Sequence, residues 1–147
     1  MNDDNFEKLL EDLQRKINDE EEATYSRIVL QEYRNPSNFG IIDNHDANGE
    51  IKGPCGDTMK ISLKIKEEDK RIIDACFWTD GCGATIACGS MLTKIIKGKT
   101  IEEAANITNE KLTTLLGGLP EEHLHCSKLA VETLQKAIHQ YNKKIRG

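Results

Sequence analysis

The clearest pattern in the chain is an alternation of apolar and polar residues in its middle third. Every second residue from position 59 to 65 is apolar, namely Met59, Ile61, Leu63 and Ile65. A period of two predicts a half-buried antiparallel strand. Residues 71–79 predict a second strand, with Ile73, Ala75 and Phe77 on one face and Ile72, Cys76 and Trp78 on the other. A further short strand is expected at residues 41–42 or 50–52.

Helical spacing dominates the rest of the chain. Helices are predicted over residues 25–33, 84–96 and 108–116, and along the C-terminal segment, where seven apolar or small residues share a face: Leu129, Ala130, Thr133, Leu134, Ala137, Ile138 and Tyr141. Thr100 and Glu103 form a capping box that opens another short helix. Strands followed by helices predict an α+β fold, with helices packed on one face of a small antiparallel sheet.

The N-terminal segment, residues 1–24, predicts an extra amphipathic helix. Its apolar residues fall on one helical face: Phe6, Leu9, Leu10, Leu13 and Ile17. We expect this helix to dock on its own domain or to fray. The alternative is an arm that binds a partner or a second copy of the chain, as in a homodimer.

Length and composition narrow the class of protein. A chain of 147 residues, with 37% apolar and 31% charged residues, suits one domain with a single core. It has no apolar run of bilayer length, and its acidic start is unlike a secretory signal, which predicts a cytoplasmic protein without membrane contact. Five cysteines in a reducing compartment favour metal or sulfur chemistry over disulfides.

The charge of the chain is unevenly distributed. Residues 1–24 carry nine acidic and three basic side chains, which gives this segment a net charge of −6. The net charge of the whole chain is −5. The other 123 residues therefore have a net charge of +1. A nearly neutral body with an acidic extension offers no positive field for nucleic acid.

Three cysteines lie where a metal ion could be bound. Cys55 precedes a predicted strand, Cys82 lies between a strand and a helix, and Cys126 lies near the start of the last helix, so all three can meet at one sheet edge. Helix N-termini favour the thiolate form, which binds metal and attacks sulfur. Asp57 follows Cys55 closely and can complete a tetrahedral set, with His125 as an alternative ligand.

This ligand set has a chemical consequence. A cluster that stays in place normally has four thiolates, whereas the carboxylate of Asp57 is a harder ligand that should ease release. From their spacing alone, the three cysteines fit a metal site and three ordinary buried thiols equally well. We expect Cys88 to be a buried thiol and Cys76 to have no metal role. Three histidines are expected to be ordinary surface residues: His45, His123 and His139.

Several motifs resemble the U-type iron–sulfur scaffold family, IscU and the N-terminal part of NifU. They cover residues 25–142 and include residues 55–59 (Cys-Gly-Asp-Thr-Met), 79–87 (Thr-Asp-Gly-Cys-Gly-Ala-Thr-Ile-Ala) and 124–127 (Leu-His-Cys-Ser). The resemblance implies a three-stranded antiparallel sheet in a scaffold domain at residues 25–147. It also implies that the ligands of a labile [2Fe-2S] cluster are Cys55, Asp57, Cys82 and Cys126.

The resemblance further implies partners and a sulfur step. A cysteine desulfurase passes persulfide sulfur to Cys126, other proteins supply iron and electrons, and the cluster moves to apo-proteins. Such a protein is a carrier and not an enzyme, and zinc often fills the cluster-free site. The family segment commonly reads Leu-Pro-Pro-Val-Lys, a motif that an Hsp70-type chaperone grips. Residues 119–123 read Leu-Pro-Glu-Glu-His instead, which puts that chaperone in doubt.

Two other functions use the same residues. One is a zinc-bound sulfur acceptor that activates a desulfurase without building a cluster. An insertion typical of that branch is absent between Cys82 and Cys126, which favours the cluster-building scaffold. The other is a structural metal domain whose partner surface comprises Cys76, Trp78 and the N-terminal helix.

Overall fold

The computed structural model describes residues 3–146. Residues 1 and 2 of the predicted N-terminal helix and residue 147 of the predicted scaffold domain lie outside the described residues. The helices are α1 (Asp3–Thr24), α2 (Arg27–Arg34), α3 (Gly83–Ile96), α4 (Ile101–Ala105), α5 (Asn109–Leu115) and α6 (Leu124–Arg146). The strands are β1 (Ala47–Lys52), β2 (Thr58–Lys66) and β3 (Arg71–Thr79), and a 3-10 turn (Glu121–His123) leads into α6.

The three strands form one antiparallel sheet in the order β1-β2-β3. The expected α+β fold is confirmed, because α3 and α6 pack against the sheet and against each other. The side chains of Met59, Ile61, Leu63 and Phe77 are fully buried between the sheet and these helices. Gly49 lets α6 lie close to β1, since a Cβ there would come within 2.5 Å of the Thr133 carbonyl oxygen.

The face assignment within β3 was wrong at two residues. Ile72 is fully buried, whereas Ile73 is 55% exposed. The pairing register between β2 and β3 shifts between Lys64 and Ile65, where a bulge inserts one extra residue into β3. One inserted residue reverses which face of the sheet the following side chains lie on. Ile73 therefore does not lie on the buried face that Ala75 and Phe77 share.

Local signals determine where several helices begin. The Ser26 side chain accepts a hydrogen bond from the backbone of Val29 and caps α2. Thr100 and Glu103 form the predicted capping box at the start of α4. These bonds satisfy backbone N–H groups that have no partner inside the helix.

Helix α1 forms, but its apolar stripe does not dock on the domain. The five stripe residues are between 42% and 58% exposed: Phe6, Leu9, Leu10, Leu13 and Ile17. An ion pair between Arg34 and Glu21 ties the end of α1 to α2 at 2.9 Å. Of the helices within residues 3–146, none combines the length and apolar character that crossing a bilayer requires.

Candidate functional site

Cys82 occupies the N-cap position of α3, three residues after the end of β3. The Cys126 thiol lies within 4.8 Å of its sulfur and favours negative charge there, as do the backbone N–H groups of Ala84 and Thr85. Together with the Thr85 hydroxyl, these donors stabilise the thiolate and lower the pKa of Cys82 to about 4, although partial burial opposes the shift. Cys82 is exposed and carries negative charge near neutral pH.

Cys126 lies in the first turn of α6 and is completely buried. Its pKa is raised, first because its S–H donates to the Cys82 sulfur and second because burial disfavours a charged thiolate. Of the two neighbouring thiols, Cys82 is therefore the anion and Cys126 keeps its proton. Binding a metal between them displaces that proton, because a thiolate is the form that binds metal.

Thr85 connects the thiols to Asp57. Its buried hydroxyl is 3.3 Å from Asp57 Oδ2, 3.3 Å from Cys126 Sγ and 3.7 Å from Cys82 Sγ. Gly81 makes room for this arrangement, since a Cβ there would lie 2.8 Å from Asp57 Oδ2. Sequence reasoning did not identify Thr85, although its position one helical turn after the N-cap Cys82 was a usable signal.

His123 is not the ordinary surface residue that we expected. Its ring is half-buried in the 3-10 turn before α6, with Nδ1 3.9 Å from Cys82 Sγ. Within residues 3–146, the group whose spacing could hold a metal ion consists of Cys82, His123 and Cys126, with ligand atoms all within 4.8 Å of one another. The pairing of His123 with Cys82 spans 41 positions, so spacing could not reveal it.

The two other proposed ligands lie differently. Nε2 of His125 is 3.7 Å from Cys126 Sγ, so this imidazole is adjacent to one thiol. Cys55 is exposed on the loop between β1 and β2, outside the group formed by the other two cysteines. Gly56 adopts a φ of +88° beside it, and the Gly53 N–H donates to the Asp57 carbonyl at 2.7 Å, which makes the loop a tight turn.

The remaining cysteines lie away from this group. Cys88 is fully buried on α3, and desolvation raises its pKa to about 12, so the expectation of a buried thiol is confirmed. Cys76 is partly exposed on β3, and burial followed by repulsion from Asp74 raises its pKa. Neither thiol has the low pKa that marks a reactive cysteine.

Comparisons with known proteins show which proteins the chain resembles. Residues 24–146 match the family model described as the NifU-like N terminal domain. The chain is 47% identical over 121 residues to an iron–sulfur cluster assembly scaffold protein IscU of Archaeoglobus fulgidus, covering 82% of this chain and 78% of that one. It is 42% identical to the scaffold protein IscU of Aquifex aeolicus, covering 80% and 75%.

A solved structure shares the fold at low sequence identity. It is a nitrogen-fixing NifU-like protein (N-terminal) from Brucella abortus, which is 19% identical, with a TM-score of 0.64. The match covers 81% of this chain and 94% of that one. Because the identity is low, this likeness concerns the arrangement of the helices and strands.

Proposed function

Since this chain belongs to the family of NifU-like N-terminal domains, we propose that it is a scaffold on which an iron–sulfur cluster is assembled and from which the cluster is released. The supporting observation is the pair of neighbouring thiols, one of them a thiolate, beside an imidazole and a carboxylate. This group occurs in a chain 47% identical to a protein named as such a scaffold. The scaffold domain is residues 25–147, and residues 1–24 are an extension.

The proposed cargo is a [2Fe-2S] cluster held by Cys55, Asp57, Cys82 and Cys126. Soft thiolates suit iron bonded to sulfide, whereas the Asp57 carboxylate is a harder ligand that weakens retention. The hydrogen bond from Thr85 holds this carboxylate next to Cys126. Zinc, which accepts the same tetrahedral donors, is the proposed occupant of the cluster-free form, and His125 is an alternative ligand.

Sulfur is proposed to enter on Cys126. Because Cys126 is buried and its pKa is raised, the step requires that its thiol first becomes accessible to solvent and loses its proton. The thiolate then attacks the outer sulfur of a persulfide on a cysteine desulfurase. A new S–S bond forms, the old one breaks, and the desulfurase cysteine leaves as a thiolate, so no external oxidant is consumed. Iron and electron donors then complete the cluster, and apo iron–sulfur proteins receive it. No turnover of a small molecule by this chain is required.

Two aspects of partner choice follow from the sequence. The acidic residues Glu121 and Glu122 stand where the family segment has proline and valine, which argues against a dedicated Hsp70-type chaperone. We place the protein in the cytoplasm, where a reducing environment keeps five cysteines as thiols. The zinc-bound sulfur acceptor is the less favoured function, because the relatives are named as assembly scaffolds.

Anaerobic reconstitution tests the scaffold function. Metal-free protein is incubated with iron, a reductant, a cysteine desulfurase and cysteine, and the product is measured for iron, acid-labile sulfide and visible absorption. We expect equal amounts of iron and sulfide, loss of the cluster in Cys126→Ser, and normal assembly in the matched control Cys88→Ser. When the incubation is repeated with zinc-loaded protein, zinc that iron does not displace and a product without sulfide would favour the zinc-bound sulfur acceptor instead.

Cluster release is tested with Asp57→Ala. Without the oxygen ligand and its bond to Thr85, we expect the variant to keep its cluster longer in the presence of an apo-ferredoxin. The rate of transfer, followed by circular dichroism in the visible range, is the measurement. Transfer as fast as in the wild-type protein would contradict the assigned role of the carboxylate.

A further inference from the structure

Tyr25 and His123 form a contact beside the two thiols that none of the proposed roles uses. Tyr25 lies between α1 and α2, and its hydroxyl oxygen is 3.2 Å from Nε2 of His123. The two rings also touch, with centroids 5.7 Å apart and an interplanar angle of 46°. Because the opposite ring nitrogen, Nδ1, faces Cys82 at 3.9 Å, the imidazole links the tyrosine to the thiol pair.

We propose that His123 is a ligand of the metal bound between Cys82 and Cys126, and that Tyr25 is the residue that positions this ligand. The inference rests on the proposed function, since the metal is the zinc of the cluster-free form; an iron of the [2Fe-2S] cluster has two sulfide ligands and leaves room for two from the protein. Imidazole and thiolate are both suitable donors for zinc. The three atoms within 4.8 Å leave one tetrahedral position for Cys55 or Asp57.

The hydroxyl of Tyr25 suits both states of this imidazole. In the metal-free protein, Nδ1–H donates toward the Cys82 thiolate while Nε2 accepts a hydrogen bond from Tyr25. When Nδ1 binds a metal, its proton moves through solvent to Nε2, which then donates to the Tyr25 oxygen. A hydroxyl both donates and accepts, so the ring need not rotate between the two states. Phenylalanine in place of Tyr25 has no hydroxyl, so it could neither donate to nor accept from Nε2 in either state.

The contact lies in a segment that departs from the family motif quoted above. His123 stands at the position where the family segment commonly has lysine, the same departure that argues against the chaperone. Tyr25 directly follows α1, and its backbone N–H bonds to the Glu21 carbonyl at 2.8 Å. The proposed ligand is thus supported by the junction between the acidic extension and the scaffold domain, and not by the sheet.

Cobalt binding tests both roles. Metal-free, reduced protein is titrated with Co²⁺ against a competing chelator, and the affinity is read from the sulfur-to-cobalt and ligand-field absorption. We expect Tyr25→Phe to bind Co²⁺ about 10–100-fold more weakly, the usual cost of removing the partner of a metal-bound histidine. We expect His123→Ala to lose at least as much and to change the ligand-field bands. The matched control Tyr141→Phe removes a hydroxyl that contacts Lys70, and it should bind normally.

The double variant separates positioning from general damage. If Tyr25 acts through His123, Tyr25→Phe combined with His123→Ala should bind Co²⁺ as His123→Ala alone does. Additive losses would overturn the positioning role of Tyr25. Unchanged affinity and an unchanged cobalt spectrum in His123→Ala would overturn the ligand role.

A second measurement needs no substitution. Nitrogen NMR of the wild-type imidazoles should show a proton on Nδ1 of His123 before Zn²⁺ is added and on Nε2 afterwards. A proton that stays on Nδ1 in the zinc-bound protein would refute the ligand. The scaffold function is judged separately by the formation of a sulfide-containing cluster. A cluster that forms without this NMR change would contradict only the ligand role of His123, and the NMR change without a cluster would contradict only the scaffold function.

Discussion

The opposite pKa shifts of Cys82 and Cys126 lead to a specific prediction about their reactivity. In metal-free, reduced protein, the pKa of Cys82 is about 4, and the first cause is the hydrogen bond that the Cys126 thiol donates. Above that pH Cys82 is a thiolate, so its alkylation rate should rise through about pH 4 and then level off. An ordinary thiol, with a pKa of 9.0, would reach its full rate only in alkaline solution.

Replacing Cys126 by alanine removes the donor and should move this profile upward. A hydrogen bond to a charged group contributes about 1.5–3 kcal/mol. Because Cys82 is exposed, solvent screening makes the lower value the appropriate one, and about 1.4 kcal/mol corresponds to one pKa unit. We therefore expect the midpoint to rise by at least about one pH unit in Cys126→Ala. The helix N-terminus and Thr85 remain, so the midpoint should stay below the ordinary value.

The assay is pulsed alkylation with iodoacetamide, with the Cys82 peptide quantified by mass spectrometry at each pH. Circular dichroism restricts the profile to the pH values at which the protein is folded. The control Cys76→Ala removes a thiol from β3 and should leave the Cys82 midpoint unchanged. A wild-type midpoint near 9, or the same midpoint in Cys126→Ala, would refute the idea that Cys126 donates to a Cys82 thiolate.

Three further predictions concern stability and are measured as urea unfolding midpoints. Gly89→Ala should lower the free energy of unfolding by about 1–3 kcal/mol, because a Cβ at this position would lie 2.3 Å from the buried Phe77 ring. An unchanged midpoint would show that the ring can move. Removing residues 1–19 should change the free energy by less than about 0.5 kcal/mol, because the apolar stripe of α1 is exposed, and a larger loss would mean that the stripe is docked. Thr100→Ala should cost about 1 kcal/mol by removing the capping box with Glu103, and equal stability would contradict a contribution from the cap.

Much of the fold could be predicted because its signals are local. The alternation in β2 and the capping box at Thr100 each depend on residues within a few positions of one another. The prediction failed at Ile73, where a bulge depends on how β3 pairs with β2 and not on β3 alone. Helix α1 forms as predicted, but the expectation that it docks on its own domain was wrong, since amphipathic spacing shows that a helix has an apolar face but not whether another surface covers it.

For the site, the sequence alone determined which residues have the right chemistry: the three glycine- or helix-associated cysteines and Asp57. Only the tertiary structure decided their arrangement, with Cys82 beside Cys126, Cys55 on an exposed loop, and His123 facing Cys82 from 41 positions away. Hydrogen bonds and thiol pKa values depend on distances of a few ångströms, and the packing of α3 against α6 sets those distances. Residue spacing carries no information about contacts that form only when distant helices pack together.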